Sequence, residues 1–282
     1  MPFIQCDTFM ESCKIVLVGA GRVATQLGKA LVAAGYPVLQ VYSRTQVAAT
    51  TLADSLAEHT GFPVEGTTSL AEIRKDADLY IVALKDSALP ELLPVLVQER
   101  SQGLFVHTAG SVPMDIWKGL TPRYGVFYPM QTFSKERSVD FATVPFFLEA
   151  DSAADWQCLR TIAEHLGSKA YEVSSEQRKY LHIAAVFACN FANHMYALSA
   201  ELLAKQGLPF ETMLALVDET ARKVHELPPV EAQTGPAVRY DQNVIQRHLE
   251  MLSDEPVMQE LYEKVSQSIH WLDGRKHEEK FD

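Results

Sequence analysis

The 282-residue chain is poor in cysteine and in positive charge. Its four cysteines, Cys6, Cys13, Cys158 and Cys189, are widely scattered and form no C-x-x-C pair. We therefore expect reduced thiols, not a disulfide framework or a zinc site. Lys and Arg number 25 against 36 Asp and Glu, which gives a formal net charge of −11. Because nucleic-acid binding depends on clustered basic side chains, this balance argues against a nucleic-acid partner.

Long apolar runs and a leader-like beginning are also lacking. No uninterrupted apolar stretch has the length of a membrane span, and the first residues contain neither a basic segment nor a long apolar one. We therefore expect a cytoplasmic protein with no membrane contact. No spacing of His, Cys and carboxylate residues indicates a metal site. The hydrophobic content of 47% is nevertheless enough for a substantial core.

The stretch from residue 14 to 44 reads as strand, tight glycine turn, helix and strand. Its turn carries the dinucleotide fingerprint G-x-G-x-x-A. Gly19 can take the backbone angles of the turn, Gly21 lacks the Cβ that would block a pyrophosphate, and Ala24 lets the helix pack on the strand. The helix start would point free N–H groups at the phosphates. The alternative is an ordinary strand-to-helix turn without a ligand. The predicted cofactor contacts here are Gly19, Ala20, Gly21, Arg22, Val23 and Ala24.

The end of the second strand indicates which dinucleotide binds. A carboxylate at this position is typical of NAD enzymes, because it binds the ribose hydroxyls and repels a 2′-phosphate. This chain has Ser43, Arg44 and Thr45 instead. Arg44 can form a bidentate, charge-assisted pair with a phosphate, so the sequence predicts NADP(H). Alternatively, Ser43 or Thr45 only caps the next helix and Arg44 is a solvated surface charge.

Polar residues also follow three later apolar strands, at the edge where ligands of open α/β sheets collect. We predict that Lys85 contacts the cofactor or attracts the substrate, although a solvated lysine is an equal alternative. Ser111 is a candidate catalytic residue in the loop after the second of these strands. Alternatively, this loop only caps the helix that follows it. The remaining predicted contacts are Leu84, His107, Thr108 and Ala109 with the cofactor, and Gln131 and Thr132 with the substrate.

Alternation of strands and helices up to residue 173 indicates an α/β fold with a doubly wound, mostly parallel Rossmann sheet. Ser69 and Glu72 predict a short capped helix within it. From Ser175 onward no strand pattern returns, which predicts an all-helical C-terminal domain. We place an NADP-binding Rossmann-like domain at 1–174 and a helical substrate and dimerisation domain at 175–282.

The first C-terminal helix is predicted to run from about Ser175 to Gln206, and it is apolar almost all round in its middle. Such a helix suits a domain or subunit interface. We therefore expect a homodimer through the C-terminal helices, which light scattering would report as twice the chain mass.

Polar residues interrupt this apolar helix. At 100° per residue, His182, Cys189 and Asn193 share one face, with Asn190 beside them. They either bond one another in a core or face a cleft and bind substrate. In the second case His182 is the catalytic acid or base, and Asn190 and Asn193 position the substrate.

A second candidate site lies in the segment QTGPAVRYD. Thr234 or Gly235 can cap a helix whose first turn contains Pro236, which leaves free N–H groups nearby. With Arg239 they would form a pocket for a carboxylate or phosphate. Equally, Arg239 and Asp241 pair with each other in an interhelical turn.

Several segments together resemble a known bacterial family. These are GAGRVA, HTAGSV, GVFYPMQTFS, SEQRKYLHIAAVFACNFANHMY and AQTGPAVRYD. The family joins a Rossmann-like domain to a helical C-terminal domain, is NADP oxidoreductase-like, and is distantly similar to pyrroline-5-carboxylate reductase and the 6-phosphogluconate dehydrogenase superfamily. The resemblance implies that Ser111 lies in a substrate loop and that His182 and Asn190 lie on a substrate-facing helix. The superfamily's lysine followed four residues later by asparagine is absent, because Ile183 follows Lys179 at that spacing.

These observations lead to the hypothesis of an NADP(H)-dependent oxidoreductase. It would transfer a hydride to or from a small carbonyl, imine or hydroxy-acid substrate bound between the two domains. Arg239 or Lys85 would attract the substrate's anionic group. The alternative is a non-catalytic NADP-binding or redox-sensing dimer module.

Overall fold

The structure is a computed structural model and describes residues 13–278. The chain divides into two compact units, one that ends at Asn190 and one that begins at Phe191. The first unit contains the sheet, and the described part of the second is helical. The domain boundary that the sequence predicts at residue 174 stays a prediction. That boundary marks the end of the strand pattern, whereas the first compact unit also includes the helix that follows.

Eight strands form one sheet, and its strand order is β3-β2-β1-β4-β5-β6-β7-β8. Strands β1 to β6 run parallel, β7 is antiparallel to β6, and β8 is parallel to β7. The order reverses direction between β1 and β4, which is where open α/β sheets bind ligands. The predicted doubly wound, mostly parallel sheet is confirmed. The strands are β1 Ile15–Val18, β2 Val38–Tyr42, β3 Glu65–Thr67, β4 Leu79–Val82, β5 Leu104–His107, β6 Tyr124–Pro129, β7 Phe146–Ala150 and β8 Ala170–Glu172.

Helices cover both faces of this sheet. Leu17 and its neighbours pack against α1, α2 and α4 on one face, whereas Val16 and Val18 pack on the other face, in the cluster that contains α3. Alternate strand residues point to opposite faces, so strands covered on both sides are apolar at every position. The helices of the first unit are α1 Arg22–Ala33, α2 Gln46–Thr60, α3 Leu89–Leu96, α4 Ala153–His165 and α5 Ser175–Ala185.

The short capped helix predicted at Ser69 is wrong. The residues that follow β3 form turns, because the hydroxyl of Thr67 takes over both capping groups. It accepts a hydrogen bond from the Ser69 backbone N–H at 3.1 Å and donates one to the Glu72 carboxylate at 2.8 Å. The reciprocal bonds of a capping box are therefore not formed.

The long helix predicted after residue 174 is present, but it changes its winding. α5 continues through a π-helical segment, Val186–Phe191, into α6, Ala192–Lys205. A π-helix has more residues per turn than an α-helix. The spacing of 100° per residue therefore does not hold there, and the predicted shared face of His182, Cys189 and Asn193 loses its basis. Cys189 and Asn193 are also exposed in the described chain, which disagrees with the alternative that they bond one another in a core.

Over its described residues, the second unit continues with four further α-helices. The helix predicted to begin at Pro236 is wrong, because a turn occupies that segment and Asp241 caps the next helix by accepting from the Val244 N–H at 3.3 Å. Arg239 is exposed, and no ion pair joins it to Asp241 within the described chain. The helices are α7 Leu214–Lys223, α8 Pro229–Ala232, α9 Gln242–Met251 and α10 Pro256–Glu278.

A buried arginine fastens α5 to the sheet. Arg178 is fully buried and pairs with the Glu149 carboxylate on β7. It also donates to the Val112 carbonyl at 2.6 Å. Glu149 in turn accepts from the Ser175 N–H at 3.0 Å and from its hydroxyl at 2.7 Å. The first turn of α5 is therefore bound to β7 and to the loop that follows β5.

We predict that Arg178→Met lowers the free energy of unfolding by about 3 kcal/mol. The substitution keeps an apolar stem but leaves the Glu149 carboxylate without its buried partner, and breaking such a pair is strongly destabilising. Urea unfolding followed by tryptophan fluorescence measures the change.

Lys179→Met is the matched control, because Lys179 follows Arg178 directly but has a 45% exposed side chain, whose one ion pair within the described residues is with Glu176. Its effect should stay within about 0.5 kcal/mol. Equal losses for the two variants would show that the buried pair does not anchor α5.

Candidate functional site

The turn after β1 requires glycine at its first position. Gly19 has a φ of +128°, a conformation that side-chain-bearing residues rarely adopt. A Cβ added there would lie 2.4 Å from the Ala83 carbonyl oxygen. The backbone of Gly19 is thus pressed against the chain that leaves β4, and the turn ends β1 at the point where the strand order reverses.

At the second glycine of the turn, neither the backbone conformation nor the packing requires glycine. Gly21 has an ordinary φ of −80°, and a Cβ added there would meet nothing within 4 Å. Gly21 is also the N-cap of α1, which has neither a side-chain cap nor an acidic residue in its first turn. The first N–H groups of α1, at the positive end of its dipole, therefore have no side-chain cap among the described residues. This cradle fits a pyrophosphate, and a Cβ at Gly21 would fill part of it.

The residues after β2 carry a cation and two hydroxyls. Arg44 is exposed, and its side chain has neither a hydrogen bond nor an ion pair with any part of the chain that the structure describes. Thr45 is the N-cap of α2, but its hydroxyl makes no capping bond. Ser43 is half-buried, with its backbone N–H bonded to the Thr67 carbonyl at 3.0 Å. The arrangement is compatible with a phosphate ligand and contains no carboxylate that would repel one.

The loops after β4 and β5 are joined to each other. The Ser111 hydroxyl donates a hydrogen bond to the Asp86 carboxylate, so both residues lie at the same edge of the sheet. Lys85 is exposed beside them, and its ammonium has no partner among the described residues. Leu84, Thr108 and Ala109 are half-buried in the same two loops.

His107 is placed differently from the other predicted cofactor contacts. Its side chain is completely buried at the end of β5, and its Nδ1 accepts a hydrogen bond from the Ala109 N–H at 3.2 Å. Burial, with the nearby Arg178 charge adding to it, lowers the pKa of His107 to about 3. The imidazole is therefore neutral and shapes the turn, and only the backbone of His107 is left to contact a cofactor.

His182 meets a partner that the sequence analysis missed. The Tyr128 hydroxyl at the end of β6 lies 3.2 Å from His182 Nδ1, and the two rings pack edge to face with centroids 6.2 Å apart. Gly110, from the loop after β5, lies against both rings. Tyr128 is not among the site residues predicted from the sequence. Its position just before Pro129, at the carboxyl end of a parallel strand, was the available signal.

The loop after β6 is bonded to α1, the helix that follows the glycine turn. Gln26 of α1 donates to the Ser134 carbonyl at 2.8 Å and thereby holds this loop against the helix. Gln131 and Thr132 are exposed in it and line a polar cavity of about 330 Å³ together with Arg137. Their assignment to the substrate stays a prediction.

The other predicted substrate contacts lie on the helical segments. Asn190 is exposed at the end of the first unit, and Asn193 and Arg239 are exposed in the second. Their roles also stay predictions. Over residues 13–278, no group of His, Cys, Asp and Glu side chains could hold a metal ion. In the same range, every helix falls short of the length and apolarity needed to cross a bilayer.

Two family models match the chain. Residues 4–130 match a Rossmann-like domain, and residues 144–269 match a domain of unknown function, DUF2520. Among proteins of curated function, none matches the chain.

Solved structures extend this comparison over almost the whole chain. A "putative NADP oxidoreductase" from Bacteroides fragilis is 58% identical, with a TM-score of 0.86, and the match covers 93% of this chain and 99% of that one. A protein from Thermotoga maritima is 21% identical, with coverages of 92% and 99% and a TM-score of 0.74. The NADP-bound pyrroline carboxylate reductase of Plasmodium falciparum is 14% identical, with coverages of 94% and 99% and a TM-score of 0.57.

The similarities to the Thermotoga maritima and Plasmodium falciparum proteins concern the fold alone. The Bacteroides fragilis protein is similar in sequence as well, with 58% identity over 93% of this chain. The chain therefore belongs to the family of the Bacteroides fragilis protein, in which a Rossmann-like domain is followed by a DUF2520 domain.

Proposed function

We propose that the protein is an NADP(H)-dependent oxidoreductase. The observation that carries this proposal is Gly21, a glycine that neither the backbone nor the packing requires, in front of the uncapped start of α1. The 58% identical relative from Bacteroides fragilis is named for an NADP oxidoreductase activity, and the Plasmodium falciparum reductase of similar fold has NADP bound. Both names agree with a dinucleotide over this turn.

The cofactor contacts follow from the ends of the parallel strands. The segment from Gly19 to Ala24 would hold the pyrophosphate, while Ser43, Arg44 and Thr45 would bind the 2′-phosphate. The loops with Leu84, Lys85, Thr108 and Ala109 would lie along the nicotinamide half. When bound, the cofactor supplies the hydride chemistry. The protein supplies binding, orientation and a proton.

In this proposal His182 transfers the proton. Its imidazole can give a proton to, or take one from, the oxygen or nitrogen of a small carbonyl, imine or hydroxy-acid substrate. Ser111, Asn190 and Asn193 are the candidates for orienting this substrate, together with Gln131 and Thr132. Lys85 and Arg239, which have exposed side chains, are the candidates for attracting an anionic group.

A homodimer through the C-terminal helices is part of this proposal. Ile183 and Phe187 are 54% and 66% exposed and follow one another along the long helix. Large apolar side chains in such a row mark an association surface, and a second copy of the chain would cover it.

The cofactor preference predicts the effect of Arg44→Ala. Loss of a charge-assisted pair with the 2′-phosphate should weaken NADPH binding by about tenfold to a hundredfold. NADH binding should change by less than about twofold, because NADH has no 2′-phosphate. Isothermal titration calorimetry of the wild type and the variant with both cofactors measures the two effects.

Arg247→Ala is the control, since it removes the same charge from an exposed position on α9 in the second unit. It should leave both dissociation constants unchanged. Tighter binding of NADH than of NADPH by the wild type would contradict the assignment of NADP(H).

The activity is tested by following NADPH oxidation with a panel of keto acids, imines and aldehydes. At least one compound should be reduced, and His182→Ala should lower kcat for it by about a hundredfold or more while the NADPH dissociation constant stays the same. The exposed His59 provides the control variant His59→Ala, which should retain full turnover.

Two results would contradict the catalytic assignment. NADPH binding without turnover of any compound would favour the non-catalytic NADP-binding module. Full turnover by His182→Ala would remove His182 from the mechanism.

A further inference from the structure

The pair formed by Tyr128 and His182 has features that packing alone does not require. Tyr128 is half-buried near the end of β6, and its hydroxyl lies 3.2 Å from His182 Nδ1. The rings stand edge to face, with an interplanar angle of 68°. This hydroxyl reaches only one of the two ring nitrogens, so Nδ1 is occupied by Tyr128.

A third residue leaves room for this contact. A Cβ added to Gly110 would lie 2.7 Å from His182 Nδ1 and 2.9 Å from Tyr128 Cζ. The φ of Gly110 lies outside the left-handed region, so its backbone does not demand glycine. Glycine is required there because the two rings come so close that a Cβ would have no room.

The other side of the imidazole is fixed through its helix. Arg178 lies one helical turn before His182 and is held, fully buried, by Glu149 of β7 and the Val112 carbonyl. α5 therefore cannot shift along the sheet without breaking a buried ion pair. The ring of His182 is positioned from its helix by Arg178 and from its Nδ1 side by Tyr128.

A tyrosine hydroxyl suits both charge states of a catalytic histidine. It can accept a hydrogen bond from Nδ1–H and can also donate one to a bare Nδ1. Burial raises the pKa of Tyr128 above its ordinary value, although Arg178 opposes the shift, so the hydroxyl keeps its proton near neutral pH. Asp86 and Cys189 add to the same upward shift.

We propose that Tyr128 is a positioning residue that holds Nδ1 of His182 and leaves Nε2 as the nitrogen that exchanges a proton with the substrate. This proposal rests on the proposed oxidoreductase function and deepens it. In the reducing direction the substrate oxygen or nitrogen takes one proton from Nε2 of the imidazolium. The ring then keeps its other proton on Nδ1 and donates it to the Tyr128 oxygen, and Nε2 regains a proton from water.

Tyr128→Phe tests this role, because it keeps the ring that packs on His182 and removes only the hydroxyl. We expect kcat for a substrate of the wild type to fall by about tenfold, with KM and the NADPH dissociation constant changed by less than about twofold. Such a split is not expected from a general loss of stability.

A second measurement needs no substrate. Nitrogen-15 NMR of the histidine rings in the full-length protein should show the Nδ1 resonance of His182 moving when Tyr128 is replaced by Phe. Tyr124→Phe is the matched control, because Tyr124 lies on the same strand but bonds Asp151 at 2.8 Å. It should leave both the His182 resonances and kcat unchanged.

The two readouts separate the possible failures. Unchanged His182 resonances in Tyr128→Phe would overturn the contact itself, whether or not a substrate is known. A moved resonance with full kcat would overturn the positioning role. If the wild type reduces no compound, the proposed function fails, and the positioning role that rests on it fails too, whereas the NMR result still decides the contact.

Discussion

The burial of β1 on both faces is the constraint on which the rest of the molecule depends. Leu17 packs under one layer of helices and Val16 under the other, so neither face of the strand can carry polar chemistry. The functional groups that the sheet itself supplies can therefore collect only where the strands end. The open cradle at Gly21, the unpaired Arg44, the Asp86–Ser111 bond and the Tyr128 hydroxyl all lie in segments that end or follow parallel strands. The fold thus concentrates the polar chemistry along one edge of an otherwise apolar sheet.

The histidine reaches this edge by a different route, because it comes from a helix and not from a strand end. A single buried ion pair, Arg178 with Glu149, docks the first turn of α5 on β7 and on the loop after β5. Burial, together with the same guanidinium charge, lowers the pKa of His107 and keeps it neutral within the adjacent turn. One interaction thereby links the position of His182 to the shape of the loop that leads to Ser111.

Elements with continuous apolar patterns were predictable, and elements decided by competing polar contacts were not. The strand predicted before the glycine turn is present as β1, because an uninterrupted apolar run between turn residues leaves a buried strand few alternatives. The helix predicted at Ser69 fails because the Thr67 hydroxyl competes for the same capping groups. The face predicted for His182 and Asn193 fails because a π-helical segment lies between them, and residue periodicity does not reveal such a segment. Tyr128 was missed because its partner lies far away in the sequence.

The central claim is that the start of α1 holds a pyrophosphate and that Gly21 is glycine for this reason alone. NADPH titration of Gly21→Ala beside Gly274→Ala tests it most directly, because a Cβ meets no neighbour at either position and neither glycine has a positive φ. We expect unchanged thermal stability for Gly21→Ala with NADPH affinity lowered by at least about tenfold, and unchanged affinity for Gly274→Ala. Equal NADPH affinity of Gly21→Ala and the wild type would contradict the account.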